Sequence, residues 1–120
     1  MRRRSHSTKS KRLKMKTDKI LTYLGLAAAK RSVVFGTDLV LKEVRRQKGG
    51  LCVILASDAS ERTSKQITDK CTYYNVSLIR PDTDMETLGA RVGKISPTAC
   101  VAVTDKGLAS QIIKHAGETE

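Results

Sequence analysis

Leu51-Cys52-Val53-Ile54-Leu55-Ala56 is an unbroken apolar run, followed at once by the polar stretch Ser57-Asp58-Ala59-Ser60-Glu61. A strand with one wet face alternates apolar and polar side chains, so a continuous run predicts a strand covered on both faces. Helices packed on each side of a sheet provide such cover. Just downstream, Asp58 with Glu61 three residues on resembles a capping box in which Asp replaces the usual Ser or Thr. Ile67, Cys71 and Tyr74 then mark the buried side of a helix.

Working outward, Val76 to Ile79 predicts a short strand closed by Pro81, and Asp84 can cap a short helix bearing Met85, Leu88 and Val92 that Gly93 ends. Ala99 to Val103 predicts the last strand, and Thr104 or Asp105 starts a terminal helix with Leu108, Ala109, Ile112 and Ile113 facing inward. Upstream, Val40, Leu41 and Val44 form one helical stripe that stops at Gly49-Gly50; Val33 to Phe35 reads as a strand, and Ile20, Leu21, Leu24, Ala27 and Ala28 as a first helix. The order is therefore α-β-α-β-α-β-α-β-α. This predicts an α/β fold, a three-layer α-β-α sandwich with a mixed sheet of about four strands and five helices. No repeat of 20 to 50 residues is present, which excludes a solenoid.

A chain of 120 residues fits one domain. With one Phe, three Tyr and no Trp, its core must be built from aliphatic side chains. No apolar stretch approaches the roughly 20 residues that a bilayer span needs, and the basic start lacks the apolar segment of a secretory signal, so a cytoplasmic protein without a membrane partner is expected. Cys52, Cys71 and Cys100 are far apart in sequence, without C-x-x-C spacing, and His6 and His115 lie at opposite ends. Reduced core cysteines are expected, with neither metal nor cofactor.

The net charge of +11 is unevenly placed. Met1 to Lys19 carries nine basic residues against Asp18, a net of +8, and the rest of the chain a net of +3. Residues 1–18 have no apolar periodicity and are expected to form a disordered basic tail, with the folded domain over residues 19–117. Within the body, Lys30 to Lys48 holds six basic and two acidic residues. The body thus has one basic region. Together with the tail it suits a polyanion such as nucleic acid.

That region contains the sharpest local feature, Gly36-Thr37-Asp38-Leu39-Val40-Leu41-Lys42 at a helix start, with Lys30 and Arg31 before it and Arg45 and Arg46 after. Asp38, Lys42 and Arg45 are spaced i, i+4, i+7 and share one polar, mainly cationic face. A helix N-terminus adds unpaired N–H groups and the positive end of its dipole, both suited to phosphate oxygens or base edges. The plainer reading is an ordinary amphipathic helix with an Asp–Lys pair on its wet side. Neither G-x-x-x-x-G-K-[ST] nor G-x-G-x-x-G occurs, nor a G-x-S-x-G elbow. Ser57, Asp58 and Ser60 follow a strand end, where α/β enzymes often place catalytic groups, but capping already accounts for Asp58, and neither His is placed to serve a nucleophile. No enzyme is expected.

With these elements in place, the segment from about Lys19 to His115 resembles the kink-turn-binding superfamily of large-subunit ribosomal proteins (seven-Ae and thirty-e type), in its small bacterial YlxQ-like or YbxF-like branch. The resemblance runs through Ile20 to Ala27, Gly36 to Lys42, Leu55 to Ser60, Asp69 to Tyr74, Leu88-Gly89 and Val103 to Gly107. It implies the same sandwich fold and an RNA-binding protein of the ribosome or translation apparatus, monomeric, recognising a kink-turn or similar bent RNA. In that superfamily the second helix begins G-x-N-E-x-x-K, and its Asn, Glu and Lys reach sheared G·A pairs. Gly36 and Lys42 match, while Asp38 stands for the Asn and Leu39 for the Glu. Ionised Asp only accepts hydrogen bonds and Leu makes none, which weakens base readout. The implied RNA-binding residues are Arg31, Gly36, Thr37, Asp38, Lys42 and Arg45, with Ile79 and Arg80 of the loop after the third strand meeting bulged nucleotides. The alternative is a protein-interaction adaptor that keeps the fold after Asp38 and Leu39 ended kink-turn specificity.

Overall fold

The computed structural model of the protein describes residues 17–46 and 51–117. Helix α1 takes in residues 17–29. After it come β1 (Val33–Phe35), α2 (Thr37–Arg46), β2 (Cys52–Leu55), α3 (Glu61–Tyr73), β3 (Ser77–Ile79), α4 (Met85–Arg91), β4 (Cys100–Val103) and α5 (Lys106–Gly117). The expected five helices and four strands are all present, in the expected order. The disordered tail expected over residues 1–18 lies outside the described residues except at its end. Thr17 and Asp18 are helical, and Thr17 is buried.

The strands form one mixed sheet in the order β1-β4-β2-β3. β4 runs antiparallel to both β1 and β2, and β2 runs parallel to β3. Every residue of β2 and β4 is buried, which explains their continuous apolar sequences. Side chains alternate across the pleat. Cys52, Ile54, Val101 and Val103 join a core with α1, α4 and α5, while Val53, Leu55, Cys100 and Ala102 join another with α2 and α3. This is the three-layer α-β-α sandwich. The edge strands have only three residues each, which leaves little open ladder for a stray chain to pair with.

Two local expectations are corrected. Asp58 does not cap α3. Ser60 does, its side chain accepting from the Thr63 N–H, while the Asp58 carboxylate crosses to α4 and accepts from the Met85 N–H at 2.8 Å. Asp84 caps the same helix through Thr87, so the first turn of α4 receives two carboxylates. The hydrogen bond from the Thr87 N–H is the main cause that holds the Asp84 carboxyl below its ordinary range. Ile113, expected to face inward, is 37 % exposed, because α5 turns its Leu108, Ala109 and Ile112 side toward the sheet.

α1 and α3 end alike. After α3, Val76 N–H bonds the Cys71 carbonyl and Asn75 N–H the Thr72 carbonyl; after α1, Ser32 N–H bonds the Ala27 carbonyl and Arg31 N–H the Ala28 carbonyl. Both are Schellman closures, which need a left-handed residue. Asn75 at φ 58° suits that role, whereas Arg31 at φ 60° is an uncommon occupant.

All three cysteines are free and buried. Burial pushes the Cys52 thiol up to about 12 and Cys71 and Cys100 to about 11, Cys71 being raised further by Cys100 and Cys100 pulled back by a hydrogen bond with Thr37. Unfolded thiols release their protons nearer 9, so between that pH and about 11 the unfolded state binds fewer protons than the native one. The thiol contribution to stability is therefore whole below pH 9 and declines above it. At pH 8 the native protein should react with a thiol reagent only as fast as it opens, and mild urea should accelerate labelling of all three cysteines. A thiol that reacts at the rate of a free peptide cysteine in native buffer would contradict this packing.

Candidate nucleic-acid interface

The strand directions bring the C-terminal ends of β1, β2 and β3 to the same end of the sheet as the start of β4. At the β1 edge of this end lies Gly36, with φ +97°, a conformation that L side chains rarely adopt. Its N–H donates to the Cys100 carbonyl at 3.2 Å, closing β1 against β4, and its carbonyl accepts from the Val40 N–H at 2.9 Å, opening α2. Gly36 therefore occupies the N-cap position. Ser60, Asp84 and Asp105 each supply an oxygen to the first turn of α3, α4 and α5, whereas glycine has none to give α2. The first-turn N–H groups of α2 are left without a capping side chain, and exposed Asp38 and Leu39 flank them.

Ion pairing sorts the surrounding cations. Lys30 is bound to Asp105, which also caps α5 through the Leu108 N–H at 2.9 Å; these two bonds, Lys30 first, hold the Asp105 carboxyl below its ordinary range. Arg46 pairs with Glu43 at 3.1 Å. Lys42, Arg45 and Arg31 are exposed, and their side chains have no hydrogen-bond or ion-pair partner among the described residues. The same is true of Asp38, so the Asp–Lys pair of the plainer reading does not form. Thr37 differs from its neighbours in being half-buried.

The sequence reading did not single out residues 94–98, which lead toward β4. Lys94 Nζ stands 4.8 Å from the centre of the Phe35 ring, and Ile95 is fully exposed. A cation over a ring adds roughly 0.5–1 kcal/mol at an exposed site. Gly89 fixes this loop against α4, because a Cβ there would collide with the Ser96 carbonyl oxygen and stand 3.3 Å from the Pro97 Cα. The pairing of β4 with β1 brings this loop to the end of β1, with Lys94 against Phe35, and a sequence gives no direct sign of strand order.

Ile79 and Arg80 sit at the same end of the sheet but on its other edge. Three strand spacings of about 4.8 Å separate β3 from β1, roughly 14 Å in all. Ile79 is buried among the α1 and α5 contacts, while exposed Arg80 reaches the Ser57 carbonyl and the Ser64 hydroxyl, each at 3.4 Å. They border a cleft of about 470 Å³ whose rim includes Thr17, Ser57 and Asp82. The sequence-derived residues thus do not form one cluster: Gly36, Thr37 and Asp38 open α2 with Lys42 one turn on, Arg45 lies in the last turn of α2, Arg31 precedes β1 at the opposite end of the sheet, where Ser32 meets Thr104, and Ile79 and Arg80 lie at the β3 edge.

This arrangement can be set beside known proteins. The Ribosomal protein L7Ae/L30e/S12e/Gadd45 family profile matches residues 18–113. The chain belongs to that family. A Bacillus subtilis relative named RNA-binding protein YlxQ is 46% identical over 90 residues, spanning 75% of this chain and 87% of its own. An Enterococcus faecium protein of the same name is 30% identical over 93 residues, 78% of this chain and 86% of its own. Among solved structures, a Bacillus halodurans protein of unknown function superposes with a TM-score of 0.75 at 32% identity, covering 83% of this chain and 98% of that one. The Giardia lamblia 15.5kD RNA binding protein superposes with a TM-score of 0.74, covering 86% of each chain; at 20% identity it shares the fold. The L7Ae-type membership places the chain in the YlxQ-like branch that its motifs resemble.

Gly89→Ala forces the Ser96-Pro97 backbone away from α4 and should destabilise the protein by about 1–3 kcal/mol, as overpacking does. Urea titration would measure the loss. A wild-type midpoint would show that the loop is not held by this contact.

Proposed function

We propose that this chain is a non-catalytic RNA-binding protein that recognises a kink-turn or a similarly bent structured RNA, working with the ribosome or translation apparatus in the cytoplasm as a monomer. The observation that carries this reading is the uncapped start of α2 at Gly36, with Lys42 unpaired one turn beyond Asp38 and Arg45 unpaired further along the same helix. Two relatives bearing the name RNA-binding protein support it.

The roles follow from the chemistry. Gly36 lets a nucleic-acid strand approach the backbone closely, because no side chain stands between. The N–H groups of the first turn and the helix dipole favour phosphate oxygens. Lys42, Arg31 and Arg45 neutralise backbone phosphates or donate to guanine acceptor atoms, and Asp38 faces a base edge. Thr37, half-buried directly after Gly36, lies where the approaching strand meets the backbone. The loop carrying Lys94 and Ile95 completes the wall beside Gly36 and suits splayed, unpaired nucleotides, which RNA-binding proteins commonly take. Arg80 and Ile79 at the far edge engage nucleotides outside this contact. Residues 1–16, with eight basic residues and no acidic one, add attraction without sequence preference.

A second reading, a protein-interaction adaptor, draws on two exposed apolar side chains, Leu39 in the first turn of α2 and Ile95 in the loop before β4. A partner that stays bound after nuclease treatment, and is lost on Leu39→Ser, would support that reading over the first.

Gel shift with a kink-turn duplex and a straightened control tests the leading proposal. Bent RNA should bind more tightly, Lys42→Ala should weaken it about tenfold, and the salt slope should fall by about one. Removing residues 1–16 should flatten the salt dependence while leaving the preference for bent RNA. Equal affinity for bent and straight RNA would reject the proposal.

A further inference from the structure

We infer that the end of the sheet opposite Gly36 is a second RNA contact, which takes a single-stranded segment distinct from the bent RNA held at α2. It rests on the RNA reading above and adds a separate surface to it. At this end β1, β2 and β3 begin and β4 finishes, and α1, α2 and α3 terminate. The ten residues of α2 put it about 15 Å from Gly36, at roughly 1.5 Å per residue. Four exposed cations stand there, Arg31, Arg45, Lys70 and Lys106, and none has a hydrogen-bond or ion-pair partner among the described residues. Among the described acids of this end, Glu43 and Asp105 are taken up by Arg46 and Lys30, which leaves Asp69 unpaired.

Arg45 and Lys70 need no ligand to explain them, because a cation in the last turn of a helix offsets the negative end of its dipole. Arg31 and Lys106 are different, since each stands where another residue would suit the fold better. Lys30 already puts a cation at the end of α1, and Arg31 follows it in the left-handed conformation that Asn75 adopts after α3. Lys106 opens α5 at the positive end of its dipole, in a first turn that holds no acid. The chain also brings the two together. Thr104 N–H donates to the Ser32 carbonyl at 2.9 Å and Lys30 binds Asp105, so Arg31 and Lys106 flank one joint and repel each other. An anion between them accounts for two like charges kept against the local preference of the backbone. Tyr73 points to the kind of anion. Its ring, at the end of α3, is 79% exposed and is steadied edge-on by Tyr74, 4.8 Å away between centroids. A base of any sequence stacks on such a ring, while arginine and lysine take the phosphates. Three strand spacings, about 14 Å, separate the starts of β1 and β3, so a single strand laid along this end reaches both Arg31 and Tyr73.

The test is recruitment of a labelled oligouridine by the full chain already held on an immobilised kink-turn duplex, compared between wild type and the double variant Arg31→Asn with Lys106→Glu. Both substitutions remove a cation and give the left-handed turn and the helix start residues that they favour, so the urea midpoint should stand at or above that of wild type. Recruitment per captured protein should nevertheless weaken about tenfold, and its salt slope should fall by about 1.4, as expected when two phosphate contacts to a single strand are lost. The basic tail acts alike on both proteins and cancels in the ratio. Tyr73→Ala should also weaken recruitment about tenfold, but with the salt slope kept, because a stacked base carries no charge. A midpoint of the double variant below wild type would mean that Arg31 and Lys106 serve the fold, and would overturn the inference. So would recruitment by either variant equal to that of wild type, or none by wild type. If bent RNA is still preferred to straight RNA in those cases, the broader RNA proposal stands; if the two bind alike, both fall.

Discussion

The antiparallel pairing of β2 with β4 is the constraint on which the rest of the molecule depends. Its register sets Cys52 opposite Val103 and Leu55 opposite Cys100, and all eight side chains in these two strands are buried. Burying a Val, Leu or Ile side chain contributes about 1.5–3 kcal/mol. A one-residue slip would move every member of a strand to the other face and break both cores at once. With the centre so fixed, helices must cover both faces, and the connections can only emerge at the sheet's ends. The candidate interface is one such end.

What distinguishes that end is the groups left unsatisfied. The starts of α3, α4 and α5 have capping oxygens and Asp58 adds another to α4, while Lys30 and Arg46 are held by acids. Exposed pairs of this kind contribute little stability. Their consequence is to remove charge from circulation. After that sorting, Lys42 and Arg45 stay free on α2, and Arg31 in the turn before β1, at the opposite end of the sheet from Gly36. Arg31 does so from a left-handed turn at φ 60°, where Asn75 serves the equivalent closure of α3 with a residue better suited to it. A non-glycine residue there costs of order 1 kcal/mol. Arginine in that seat is consistent with a side chain kept for what it reaches.

The fold was legible in the sequence because each element advertised itself locally. The run from Leu51 to Ala56 admits only a doubly covered strand, and the stripe Val40, Leu41 and Val44 only one buried helix face. The position of Gly36 was legible for a similar reason, since a strand ending in Phe35 and a helix opening at Thr37 leave one residue to turn the chain. Tertiary relations were not. Asp58 stands where it would cap the helix that follows it in sequence, yet its carboxylate serves Met85, 27 residues away, because the β2–α3 loop passes the start of α4. Strand order likewise has no local signature. It separates Arg80 from Gly36 by the width of the sheet and brings Lys94 against Phe35.

Affinity and selectivity are carried by different parts of this chain under the RNA proposal. Residues 1–19 have a net charge of +8 and the remainder +3, so the long-range attraction belongs mostly to the tail and is screened beyond a Debye length of about 8 Å in physiological salt. A phosphate meets the same tail whatever the sequence or bend of the RNA. Discrimination needs fixed geometry instead, and α2 supplies it: Gly36 is bonded to Cys100 on one side and Val40 on the other, and Val40 and Val44 are fully buried. The atoms that face a ligand are thus tied to the most rigid part of the sheet. Under that proposal Lys42 belongs to the part that prefers bent RNA, whereas the tail sets how tightly all RNA is held. The two effects are separable because one lies in a packed frame and the other does not depend on it.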